Sequence, residues 1–301
     1  MKPAVLLLTA YLAAPLAADD DRHPDTTARR DGVPVGTVTE HEMHDSAVYP
    51  DTHRRYSVYV PAQLEDGGEA ALMVFLDGHA YANEWGDFRV PIVFDNLIAA
   101  GDMPPTVAVL IDPGMYTKQL EDGKLPEKRG WNPRPGNRSV EYDTLSDAYA
   151  TFLLTEVLPE VEARLKERGV ALSDDPAKRA ICGSSSGGIC AFTVAWERPE
   201  EFGKVISHIG SFTNIRGGHN YPPMIRAEDA KPIRVVLQDG SGDLDNRFGN
   251  WWLANQQMAK ALEFKGYDFK TYWGEGGHNG KDAGRVFPDE LRWLWRDWEG
   301  E

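Results

Sequence analysis

Three residues far apart in the chain have the types and the order that nucleophilic catalysis needs: Ser185, an aspartate near position 243, and His278. Ser185 stands at the centre of Gly183-Ser184-Ser185-Ser186-Gly187, which follows the apolar Ala180-Ile181-Cys182 and opens into Gly188-Ile189-Cys190-Ala191-Phe192. Of the three serines, it alone has glycine two residues before and two after. A serine at the apex of a strand-to-helix turn takes a strained backbone conformation, and flanking glycines leave room for the neighbouring chain. The pentapeptide by itself is common loop composition, so its meaning rests on what the rest of the chain supplies.

A serine hydroxyl is a weak nucleophile until a neutral imidazole accepts its proton. The imidazole in turn needs a carboxylate to fix its tautomer and to stabilise it once charged. On a parallel α/β sheet these groups follow the order serine, acid, histidine, each in a loop at the carboxyl end of a strand. His278 fits that order, because Gly274-Glu275-Gly276-Gly277-His278-Asn279-Gly280 follows the strand-like Phe269–Trp273 and precedes the last helix. The acid is expected after the apolar Ile233–Leu237, where Gln238-Asp239-Gly240-Ser241-Gly242-Asp243-Leu244-Asp245-Asn246 offers three aspartates. Asp239 lies too near the strand end, where its side chain is held in the sheet. Asp243 comes soonest after the chain leaves the sheet and is the expected acid, with Asp245 as the alternative.

The negative oxygen of a tetrahedral intermediate needs backbone N–H donors. The first is expected from Ser186, at the start of the helix after the nucleophile. The second is expected from Leu76-Asp77-Gly78-His79-Ala80-Tyr81, through the amide of His79 or Ala80. Tyr81 and Trp131 are the candidate substrate contacts. Aromatic residues such as Trp85 and the Trp251-Trp252 pair could stack on a sugar or an aromatic acyl group, although aromatics at helical spacing more often pack the core.

Rival chemistries find less support. His41 and His44 lack an H-E-x-x-H pattern and sit in alternating, strand-like sequence that splays their rings apart. The aspartate cluster has Leu244 and Asn250 where a calcium loop needs glycine and glutamate. His208, in an apolar strand, reads as a satisfied core histidine; His23 and His219 lie in polar sequence. Neither metal nor cofactor is expected. Cys182 and Cys190 flank Ser185 in apolar sequence without a basic neighbour, and both are expected as buried free thiols.

These groups need elements to carry them. Leu72–Leu76, Val107–Ile111, Val205–Ile209 and Ile233–Leu237 are short apolar runs of the kind buried on both faces of a parallel sheet. Gly36–Tyr49 and Arg54–Val60 alternate instead, which predicts two antiparallel strands at the sheet's N-terminal edge. Helical stripes run from Leu145 to Leu165, with Pro159 expected to kink or divide them, from Trp251 to a stop at Gly266, and from about Pro288 to Trp298. The fold class is α/β: an open, mostly parallel sheet with helices on both faces, in a single domain over 35–301. Residues 113–140 show no period and read as a binding or lid loop.

Composition agrees with one globular domain: 42% of the 301 residues are hydrophobic and 26% charged. A net charge of −15 disfavours nucleic acid and anionic membranes as partners. Lys2, an apolar run from Ala4 to Ala17, and Ala17-Ala18 before three aspartates predict a signal peptide over 1–18, with 19–34 as a flexible lead-in. Export to the periplasm or the medium follows, with no membrane insertion after its removal.

Several spaced segments together resemble the esterase family that includes enterochelin esterases, esterase D and feruloyl esterases. They are Phe75-Leu76-Asp77-Gly78, Asn137-Arg138-Ser139-Val140-Glu141-Tyr142-Asp143 before a long helix, the turn from Cys182 to Ala191, and Gly276-Gly277-His278. The resemblance implies an α/β-hydrolase fold, with Ser185, Asp243 and His278 as nucleophile, acid and base, and Arg138, Glu141 and Tyr142 as a structural turn. It implies an exported serine esterase that needs no cofactor and hydrolyses carboxylic esters through an acyl-enzyme. Acyl or feruloyl esters on carbohydrate and siderophore-type esters are the substrate classes in view. An acyltransferase of the same fold, or a non-catalytic carbohydrate- or wall-binding member, is the alternative.

Overall fold

The computed structural model describes residues 23–64, 67–130 and 134–298. The expected signal peptide and Trp131 lie outside the described residues. Eight strands form the main sheet: β1 (Thr37–Met43), β2 (Thr52–Val60), β3 (Glu69–Leu76), β4 (Thr106–Ile111), β5 (Arg179–Ser184), β6 (Lys204–His208), β7 (Arg234–Gly240) and β8 (Asp268–Gly274), in the spatial order β1-β2-β4-β3-β5-β6-β7-β8. The β1–β2 and β2–β4 pairs are antiparallel and all later pairs are parallel. This is the α/β-hydrolase architecture, with the expected antiparallel edge.

Beyond a short helical turn at Pro24–Thr27, the helices are α1 (Gly78–Ala82), α2 (Val90–Ala100), α3 (Arg138–Tyr142), α4 (Ala148–Phe152), α5 (Leu158–Leu165), α6 (Ser186–Glu197), α7 (Tyr221–Ala227), α8 (Trp251–Lys265) and α9 (Lys281–Leu294). Side chains alternate across a strand, which explains why the central strands are apolar throughout. Leu72, Val74 and Leu76 face one core with Phe152, Val161, Phe192 and Leu262. Met73 and Phe75 face a second core with Phe94, Phe287, Leu291 and Leu294. Full burial of one such side chain contributes about 1.5–3 kcal/mol, so both faces must be covered by helices.

Three expectations need correction. Pro159 does not end the helical run: from Ala148 to Leu165 the chain stays helical, with a π-helical turn at Leu153–Val157 directly before α5, whose first turn holds Pro159. The last helix starts at Lys281 rather than near Pro288, and Pro288 lies inside it. The buried residues Ala283, Gly284 and Phe287 of that first half show the cause, tertiary packing that outweighs the proline's local preference.

The third concerns the lead-in. Residues 23–30 are docked rather than flexible, because their charges find partners across the fold. Asp25 is buried and receives Arg292 Nη2 at 2.6 Å, the Asn96 amide donates to the carbonyls of Asp25 and Ala28, and Arg29 Nε reaches Asp95 at 2.5 Å. Among the described residues no helix is long and apolar enough to cross a membrane.

Candidate active site

Ser185 sits between β5 and α6 with φ 60° and ψ −120°, a conformation that few L-residues adopt and that the surroundings must enforce. They do so from both sides: the Ser185 amide donates to the His208 carbonyl at 2.9 Å, and the Ser211 amide donates to the Ser185 carbonyl at 3.1 Å. A Cβ on Gly183 would meet the Gly187 carbonyl oxygen at 2.3 Å, so the turn closes only with glycine there. The strained apex exposes the hydroxyl at the carboxyl edge of the sheet.

The loops after β7 and β8 converge on that hydroxyl. His278 Nε2 lies 2.7 Å from Ser185 Oγ, and His278 Nδ1 lies 2.6 Å from Asp243 Oδ1. With Nδ1 donating to the carboxylate, Nε2 is left to accept the serine proton. The Asp243 side chain is fully buried while His278 keeps 21% of its side chain exposed. Burial works against the Asp243 charge, but the hydrogen bond from His278, the neighbouring Asp239 and the Leu244 amide hold its carboxyl below the usual carboxylate range. Asp245 points into solvent in a two-residue strand with Gly249–Asn250 and makes no such contact. The Trp251 ring packs edge-on to the imidazole with centroids 5.7 Å apart, and its Nε1 donates to Ser211 Oγ at 3.1 Å. Trp251 is therefore a buried support for the histidine rather than a stacking platform.

A cavity of about 790 Å³ opens above Ser185 and His278, lined also by Phe88, Arg134, Ile215, Phe248 and Trp251. With Arg134, Arg129 and Asp87 also line it, so the concave site combines apolar wall with charged groups.

A family model described as Esterase matches residues 47–295. The chain belongs to this esterase family. The iron(III) enterobactin esterase of Dickeya dadantii is 26% identical over 259 residues, 81% of this chain and 52% of the relative. The enterobactin esterase of Shigella flexneri, solved with 2,3-dihydroxy-N-benzoyl-serine, superposes with a TM-score of 0.66 at 22% identity and covers 91% of this chain and 63% of its own. A ferulic acid esterase superposes with a TM-score of 0.63 at 17% identity, covering 87% of this chain and 99% of its own. The chain thus spans about half the length of the curated relative it matches, and these structural likenesses show the fold.

Within this esterase frame, the turn after β3 is braced by the segment that the resemblance marks as structural. Arg138 grips Asp77 with two hydrogen bonds of 2.9 and 2.7 Å, and the Asp77 amide donates to Tyr142 Oη at 3.2 Å. Glu141, fully buried, pairs with Arg54 at 2.8 Å and accepts from the Gly114 amide. A Cβ on Gly78 would meet the Leu110 carbonyl carbon at 2.1 Å, which ties this turn to β4.

The remaining candidates are placed differently from expectation. The His79 amide donates to Asp112 Oδ1 at 2.8 Å, with the His79 ring 2.9 Å from the same oxygen, and Arg129 Nε holds Asp112 Oδ2 at 2.7 Å. The Ala80 amide donates to the Asp77 carbonyl. Both amides expected as the second oxyanion donor are engaged within the protein, whereas Ser186, as the first residue of α6, has no acceptor in its own helix.

Tyr81 is fully buried, so its ring offers no face to a substrate. Its hydroxyl bonds Ser184 Oγ at 2.7 Å and His208 Nδ1 at 3.0 Å, and His208 Nε2 reaches Glu290 at 2.7 Å. Sequence reasoning missed this line, and also Ser211, whose Oγ is 3.3 Å from Ser185 Oγ. No local motif marks such contacts, which span 26 to 127 positions. Cys182 and Cys190 are free and buried, and burial pushes the Cys190 thiol up.

Proposed function

We propose that this chain is a serine esterase in which Ser185 attacks the ester carbonyl, His278 carries the proton, and Asp243 orients and stabilises the imidazole. The observation that carries the reading is the continuous hydrogen-bonded line Ser185 Oγ–His278 Nε2 and His278 Nδ1–Asp243 Oδ1, at 2.7 and 2.6 Å, at the floor of the cavity.

In this mechanism His278 takes the Ser185 proton as Oγ bonds the carbonyl carbon. The Ser186 amide, at the positive end of α6, faces the charge that develops on the carbonyl oxygen. His278 then returns the proton to the departing alcohol, which leaves an acyl group on Ser185. Water, deprotonated by the same imidazole, releases the acid. The substrates are small-molecule or carbohydrate esters with an acyl or aromatic acyl group such as feruloyl, or siderophore-type esters, and the protein works after export. Phe248, exposed on the cavity wall, supports an aromatic or extended acyl part.

A panel of feruloylated xylan, acetylated xylan and a siderophore trilactone, each offered to the wild type and to Ser185→Ala, tests the reading. Hydrolysis of at least one by the wild type, lost in the variant, is expected. Equal release by both proteins would reject it.

A further inference from the structure

Asp243 has two carboxylate oxygens, and the mechanism above uses one. Oδ1 accepts from both His278 Nδ1 at 2.6 Å and the Leu244 amide at 2.5 Å, while Oδ2 is buried with no hydrogen-bond donor among the described residues. An orphaned carboxylate oxygen in a buried site is costly, and a donor should stand within reach. The group that does is another acid. Asp239, fully buried near the end of β7, stands beside Asp243 in the same turn, which the Asp243 amide closes by donating to the Gly240 carbonyl at 3.0 Å. Its Oδ1 accepts from the Gly240 amide at 2.7 Å and its Oδ2 from Asn255 Nδ2 of α8 at 2.8 Å.

We propose that the acid of this site is a carboxyl pair, in which Asp239 keeps a proton at neutral pH and donates it to Asp243 Oδ2. Asp239 is thus a positioning residue: it fixes the rotation of the Asp243 carboxylate so that Oδ1 faces His278. The inference rests on reading Ser185, His278 and Asp243 as the catalytic line.

Two buried carboxylates this close cannot both ionise cheaply, so the pair shares one proton. The environment decides which member holds it. Asp243 faces the imidazole of His278, whereas Asn255, the partner that α8 offers Asp239, is neutral. On the side of β8 and α9, Asp282 is committed to the Gly276 amide, and on β6 His208 is committed to Glu290. Burial first, and then Asp243, push the Asp239 carboxyl up to about 8. Above that pH the donor is lost and a second negative charge stands beside Asp243.

The test compares wild type, Asp239→Asn and Asp239→Ala across pH. In the wild type kcat/KM for p-nitrophenyl acetate is expected to fall as pH rises through about 8. Asp239→Asn, whose amide still donates but cannot ionise, should lack that fall. Asp239→Ala should lose roughly ten- to a hundredfold in kcat, the effect of one hydrogen bond to a charged acceptor, with KM little changed, and the asparagine should rescue it. The same alkaline fall in Asp239→Asn as in wild type, or its absence from the wild type, would overturn the proposal.

A second measurement guards against misfolded variants and separates the two readings. In Ser185→Ala the low-field proton signal of the His278–Asp243 hydrogen bond should still shift as pH crosses about 8, and the infrared band of a protonated carboxylic acid should vanish over the same range. If Ser185→Ala stays active while these signals titrate, the esterase reading fails and the carboxyl pair stands. If neither signal titrates in an enzyme that needs Ser185, the carboxyl pair fails alone.

Discussion

Two imidazole–carboxylate pairs flank the strained serine turn, and they do different things. His278–Asp243 and His208–Glu290 have nearly the same length, 2.6 and 2.7 Å, and both have a fully buried carboxylate. They differ in what the second ring nitrogen meets. That of His278 meets the hydroxyl of Ser185 and opens onto the cavity, whereas that of His208 meets the hydroxyl of buried Tyr81, which ends on Ser184. Burial pulls the His208 imidazole down, but Glu290 and Cys182 beside it outweigh burial and push it up to about 10, which favours the charged ring. An imidazole–carboxylate pair becomes catalytic only where its free nitrogen meets a nucleophile open to substrate; enclosed by Phe88, Phe287 and Tyr81, the same pair is a structural ion pair.

This contrast can be broken most sharply at the pair proposed as catalytic. Ser185→Ala and His278→Ala should each lower kcat on the order of 10⁶-fold, measured with p-nitrophenyl acetate, while leaving the urea midpoint nearly unchanged. Asp243→Ala should cost roughly 10⁴-fold, and Asp245→Ala, at the exposed position, no more than about twofold or threefold. A reversed ranking of the two aspartates would move the acid to Asp245.

At the buried pair the pattern should invert. Glu290→Leu leaves the His208 charge unpaired and should lower the unfolding free energy by about 3–5 kcal/mol in urea titrations. A smaller effect concerns pH. His208 is held above its unfolded value, so its stabilising contribution is complete below about 6.5 and is lost as pH rises toward about 10. Glu290→Gln should flatten that part of the stability curve. The smallest expected effect is from reductant: with Cys182 and Cys190 free, dithiothreitol should leave the melting temperature unchanged.

Much of this frame was legible in the residues. The apolar runs at Leu72, Val107, Val205 and Ile233 and the alternation over Arg54–Val60 mark the sheet because strand burial imposes those patterns. The serine–acid–histidine order marks the loops that bring Ser185, Asp243 and His278 together. What stayed hidden depends on pairing at a distance. The charges of residues 23–30 read as solvated until Arg292 and Asp95 are known to face them, and the His79 amide reads as free until Asp112 and Arg129 are placed beside it. Asp239 reads as held at the sheet end, which it is, but no spacing rule shows that Asn255 and the Gly240 amide hold its carboxyl there. Tyr81 reads as a substrate contact because nothing local shows the cage of Phe75, Phe88 and His208 around it.

The central claim, that Ser185 is the nucleophile served by His278, is tested most directly by trapping the acyl-enzyme. Rapid mixing with p-nitrophenyl acetate, acid quench and peptide mass spectrometry should find an acetyl group on the Ser185 peptide of the wild type, matched by a burst of p-nitrophenol, and neither in Ser185→Ala. Turnover with no acyl group on that peptide, or an equal burst from the alanine variant, would contradict it.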